Sequence, residues 1–123
     1  MRARIRKYHS PDVRNLEEWR PPDPTCLGVL LQVLIGPTDD VGEESFDFMV
    51  CTPNWLRKEY GDDGVILGRA HVVVFHYKFA SIRARLERLV SSFDASTWDE
   101  LATKLSRYAH WEFEDYEGKD ATP

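Results

Sequence analysis

Cysteine is nearly missing from this chain: Cys26 and Cys51 are the whole supply in 123 residues. At most one disulfide can form, so no cysteine framework holds the fold together. Both residues sit beside apolar runs, where a thiol behaves as a small hydrophobe, and both are expected to be reduced. Long hydrophobic runs are missing too. The longest, Val29–Ile35, is interrupted by Gln32 and is far too short to span a bilayer. The basic opening Met1-Arg2-Ala3-Arg4-Ile5-Arg6-Lys7 is not followed by the apolar segment of a secretory leader. A cytoplasmic chain with no membrane partner is the expectation. Catalytic signatures are absent as well: there is no GxSxG, GxGxxG, GxxxxGKS, HExxH or CxxC. No internal repeat or low-complexity segment occurs.

Positive charge is in deficit. Sixteen Lys and Arg face 21 Asp and Glu, a net charge of -5. Such a surface repels phosphate backbones, so direct nucleic-acid binding is disfavoured and a basic protein partner is favoured. What is present is an ordinary globular composition, 42% apolar and 30% charged. The length fits one domain over residues 1–123, with 118–123 as a polar, fraying tail. A domain of this size buries roughly two thirds of its unfolded surface.

Residues 2–9 alternate as a half-buried strand, with Arg2, Arg4 and Arg6 on the outer side. Ser10-Pro11-Asp12 has the form of a helix start and predicts a short helix to about Trp19. Arg20 to Pro24 is loop, because its three prolines fit neither helix nor sheet. Gly28 to Ile35 reads as a central strand covered on both faces. Thr38–Glu43 turns the chain, and Glu44–Cys51 returns with Phe46, Phe48 and Val50 on one face and Asp47, Met49 and Cys51 on the other. Thr52-Pro53 caps a two-turn helix that stops at Gly61. Val65–Leu67 and Ala70–Tyr77 read as strands. The period then changes. Ile82, Leu86, Leu89, Val90 and Phe93 fall at helical spacing. Thr97 and Glu100 form a capping box for a last helix whose Trp98, Leu101, Ala102, Leu105 and Tyr108 line one face. That helix is expected to run straight into Trp111-Glu112-Phe113-Glu114-Asp115-Tyr116. Strands first and helices later predict α+β: an antiparallel sheet of four or five strands with helices packed on one face.

Few residues offer chemistry. His71 and His76 are five apart on one predicted strand, hence on opposite faces and unable to share a metal. Asp115 with Glu117-Gly118-Lys119 superficially matches a nuclease metal motif, but in a terminal tail nothing fixes its geometry. The acidic turn Asp39–Glu44 lacks the ligand spacing of a calcium loop. Arg2, Arg4 and Arg6 make a basic stripe that can pair with Asp47 across the sheet. No catalytic residue, metal or cofactor is expected.

Three segments carry a resemblance. Leu31-Gln32-Val33-Leu34-Ile35-Gly36-Pro37 is followed by Glu43-Glu44-Ser45-Phe46-Asp47-Phe48-Met49-Val50-Cys51-Thr52-Pro53-Asn54-Trp55-Leu56, and Trp98 leads to the ending Trp-Glu-Phe-Glu-Asp-Tyr. Their combination resembles the Immunity protein 8 family over nearly the whole chain. The family's members are small α+β proteins of bacterial polymorphic-toxin and contact-dependent growth-inhibition systems. The resemblance implies a protein that neutralises a cognate toxin domain by binding it inside the producing cell. It brings no catalytic residue and does not name the toxin's activity. Charge sharpens the expectation: Asp39, Asp40, Glu43 and Glu44, or Glu112, Glu114, Asp115 and Tyr116, would meet a basic, nucleic-acid-acting toxin. The alternatives are a small cytoplasmic hydrolase using Cys51 or His76, and a structural partner subunit.

Overall fold

The computed structural model describes residues 1–115. The elements are β1 (Ala3–His9), β2 (Gly28–Pro37), β3 (Glu44–Cys51), α1 (Pro53–Tyr60), β4 (His71–Val73), α2 (Phe79–Ser91), α3 (Trp98–Leu105) and β5 (His110–Trp111). The class is α+β, as expected. β1, β2 and β3 form an antiparallel meander. β2 occupies one edge of β3. The other edge takes β4 along Met49–Cys51 and β5 along Phe46–Asp47. β4 runs parallel to β3, so the sheet is mixed rather than wholly antiparallel.

The β2–β3 pair is the centre of the core. Val29, Leu31, Val33 and Ile35 lie opposite Val50, Phe48, Phe46 and Glu44 in register, and all the apolar members are buried. Each such side chain stabilises by about 1.5–3 kcal/mol. α2 adds Phe79, Ile82, Leu86 and Val90 to this face, and α3 adds Leu101, Ala102 and Leu105. The reverse face is different. Leu30, Gln32 and Leu34 are only half-buried, so β2 is central but not fully covered on both sides. α1 buries none of its residues. Its Trp55 ring lies against Gly28 so closely that a Cβ there would stand 2.1 Å from the ring.

Several local expectations give way to distant partners. No helix forms over residues 10–19. Ser10 Oγ accepts from Asp12 N, and Asn15 Oδ1 accepts from Glu17 N and Glu18 N, which makes a chain of capped turns. The Asp12 carboxylate accepts instead from Leu30 N of β2, 2.9 Å away, tying the segment to the sheet. Short polar side chains that satisfy the backbone in this way compete with helix formation. Val65–Leu67 is not a strand, and of Ala70–Tyr77 only His71–Val73 pairs. A parallel β3–β4 pairing demands a crossover, and α1 with the loop behind it supplies the return path. β1 lies beside β2, so its arginines cannot reach Asp47. Arg2 is 3.8 Å from Asp94, and Arg6 sits at a bulge between Ile5 and Lys7. The last helix ends at Leu105, not at Trp111. Tyr108 lies past it, exposed, with its ring against Phe93.

The Gly28–Trp55 contact yields a test. Gly28→Ala should cost about 1–3 kcal/mol in urea unfolding, since the indole must leave its seat. Most of that loss should be absent when the substitution is made in a Trp55→Leu background.

Candidate functional site

The two acidic clusters, far apart in sequence, meet at one end of the sheet. The β3–β5 register places Trp111 opposite Phe46 and His110 opposite Asp47. Ser45 N donates to Glu112 Oε1 at 2.7 Å, and Glu112 N donates to Ser45 O at 3.1 Å. The turn carrying Asp39, Asp40 and Glu43 leads directly into the same end of β3.

The turn is shaped by glycine and arginine. Gly42 has φ +100, a conformation that favours glycine. A Cβ on Gly36 would lie 2.0 Å from Gly42 O, so the loop folds tightly over the strand. Arg6 reaches under it and donates to Pro37 O at 2.6 Å and Asp40 O at 2.5 Å. Asp39 and Glu43 are exposed and make no hydrogen bond or ion pair with the described residues. Asp40 is exposed too, its carboxylate taking Val41 N at 2.7 Å.

Glu44 does something else. Its Oε1 accepts from Trp98 Nε1 at 2.8 Å and from Trp111 Nε1 at 2.9 Å. Phe46 stacks on Trp111, with rings at 6° and centroids 6.2 Å apart, and meets Trp98 edge-on. Phe113 packs edge-on against Trp111. Trp111 therefore closes the core, while Phe113 stays partly exposed and Glu112 and Asp115 stay exposed.

Arg69 organises the last turn. Its Nη1 donates to Ser106 O at 2.6 Å and Ala109 O at 3.1 Å, capping the carbonyls beyond α3. Its Nη2 reaches Glu114 Oε2 and His110 Nδ1, each at 2.7 Å. Arginine has only donors, so Nδ1 is the acceptor there. The 3.4 Å approach of that same nitrogen to Glu114 Oε1 is then no hydrogen bond. Partial burial opposes ionisation of Glu114, but the hydrogen bond and charge of Arg69 outweigh it and hold the carboxyl below its ordinary 4.5. Nothing in the sequence singles out Arg69. Its partners lie 37 to 45 residues away.

Of the anticipated contact residues, the structure thus brings Glu44, Glu112 and Glu114 into its own hydrogen bonding and leaves Asp39, Asp40, Glu43 and Asp115 outward. Tyr116, the Glu117-Gly118-Lys119 triplet and the 118–123 tail lie outside the described residues. A family model described as Immunity protein 8 matches residues 3–116. The chain belongs to that family. No curated protein and no solved structure matches it. An immunity protein 8 member has a general role in immunity, and such a role implies binding a cognate toxin. The thiol of Cys51 is ill suited to the hydrolase alternative. It is fully buried, and burial pushes its pKa up to about 11, away from the reactive thiolate. His76 is exposed beyond β4, and no hydrogen bond joins it to Cys51. Among the described residues no helix is long and apolar enough to cross a membrane.

Two measurements check this construction. Glu44→Ala leaves two indole N–H groups without their acceptor and should cost about 2–3 kcal/mol, with red-shifted tryptophan emission. Glu44→Gln, whose amide oxygen still accepts, should lose much less. The depressed Glu114 pKa contributes stability above pH 4.5 that is lost as pH falls through its folded value. Urea midpoints over about pH 3–6 should show this slope, and Glu114→Gln should flatten it.

Proposed function

We propose that the chain neutralises a basic toxin domain that acts on nucleic acid, by direct binding in the cytoplasm of the producing bacterium. It would work within a polymorphic-toxin or contact-dependent growth-inhibition system. One observation carries the reading: the turn at 39–43 and the segment at 112–115 converge at the same end of the sheet. Exposed carboxylates held on a rigid frame can stand in for phosphates in a basic cleft. Immunity requires fast, tight capture. A Kd near 1 nM corresponds to about -12 kcal/mol, commonly on roughly 1,200–2,000 Å² of buried surface. Complementary charge raises association rates by about ten- to a thousandfold, and more at low salt.

The test uses the purified toxin domain encoded beside this chain's gene. Co-expression of the chain should rescue cells from that domain. Reversing Asp39, Asp40 and Glu43 to lysine together, and Asp115→Lys separately, should slow association roughly tenfold or more at low ionic strength and weaken its salt dependence. Unchanged rates and unchanged salt dependence in both variants would remove the electrostatic account. Equal survival without the chain would remove the immunity reading itself.

A further inference from the structure

Charge at a rim sets how fast partners meet far more than how long they stay together. Residence comes from apolar anchors in a desolvated centre. The acidic end of the sheet offers little of this kind, because Trp98 and Trp111 are turned inward around Phe46 and only Val41 and part of Phe113 stay exposed there. Most of the large hydrophobic side chains that remain exposed lie between Tyr60 and Phe75. Val65 is 73% exposed, Leu67 88% and Phe75 80%. Three consecutive branched apolar residues in an exposed loop are costly to leave in water, and Val65 and Leu67 are left largely in it. Val65 and Ile66 also line a groove of about 350 Å³ with Leu56 and Tyr60 of α1.

This loop is not remote from the acidic surface. Leu67 is two residues from Arg69, a backbone reach of at most about 8 Å. Arg69 is the residue that clamps Glu114 and the carbonyls of Ser106 and Ala109. One side chain therefore joins the apolar loop to the acidic segment. We infer that Val65-Ile66-Leu67 is the apolar anchor of the toxin interface. The inference rests on the immunity reading and names its second contact: the partner presents an apolar recess flanked by basic residues. The basic flank meets the carboxylates near Glu112 and Asp115, and the recess takes the tripeptide. Arg69 acts as a positioning residue that fixes the spacing of the two halves.

The test is kinetic. Of the three side chains altered in V65S/I66S/L67S only Ile66, 40% exposed, is more than half covered, so circular dichroism should match that of the unaltered chain and the urea midpoint should fall only slightly. Against the same adjacent-gene toxin domain, its dissociation should be at least about thirtyfold faster. Its association rate and salt dependence should be unchanged, which is the opposite signature from the lysine variants. R69M should also speed dissociation, and R69K, which keeps the charge but not the fork, should restore only part of it. Dissociation unchanged in V65S/I66S/L67S, with the unaltered chain still binding, would overturn the anchor and leave the immunity reading standing. No binding by the unaltered chain would overturn both. If sedimentation velocity of the chain alone shows a dimer that V65S/I66S/L67S abolishes, the occupant is a second copy and the inference fails.

Discussion

Two indole N–H groups converge on one carboxylate oxygen, and much of the geometry follows from that. Glu44 stands at the start of β3, Trp98 at the start of α3 and Trp111 in β5. A two-residue strand has little pairing energy of its own. β5 stays in place because Trp111 is held three ways: by its ladder partner Phe46, by the stacked ring of that same residue, and by Glu44. The acceptor is a carboxylate side chain, and charge-assisted bonds to a carboxylate are shorter and stronger than neutral ones. The same oxygen fixes the first residue of α3, so helix and terminal segment are positioned from one point on the sheet.

Arg69 completes this from the other side. α3 ends with carbonyls facing outward, and a helix end of that kind calls for a cation or further donors. The guanidinium supplies both and then uses its second nitrogen to seize Glu114. The chain between α3 and Asp115 is thereby fastened at Trp111 and again at Glu114. Ordering a segment before it meets a partner removes that cost from the binding step.

Much of this was readable beforehand where neighbours in sequence decide the outcome. The β2–β3 hairpin follows from alternation around a Gly-Pro turn. α1 follows from Thr52, whose hydroxyl accepts from Trp55 N, and α3 from Thr97, which accepts from Glu100 N. The Glu100 side chain reaches Ser96 N, one residue beyond the expected cap. Legibility failed where a distant group intervened. Asp12 has the look of a first-turn helix acid, yet its partner is Leu30 N. Val65–Leu67 has strand composition, yet β3 has no free edge left for it once β4 and β5 are seated. The convergence of the acidic clusters depends on β5, which is too short to leave a periodic trace. Arg69 leaves none at all.

The acids at this end of the sheet differ less in their chemistry than in what donates to them. Glu114 is met by a guanidinium, so it is both fixed and cancelled. Glu44 and Glu112 are met by indole and amide N–H groups, which are neutral. Such a bond fixes a carboxylate without cancelling its charge. Asp39, Glu43 and Asp115 stand in solvent, where ions screen them beyond about 8 Å at physiological salt. A carboxylate held partly out of water by its own fold is screened less. The negative potential in front of β5 thus has an inner component, anchored at the half-buried Glu44, and an outer one that salt can erase. In the proposed reading the outer acids draw a basic partner in. Glu44, set by the core, and Glu112, held by Ser45 N, then meet it without further rearrangement.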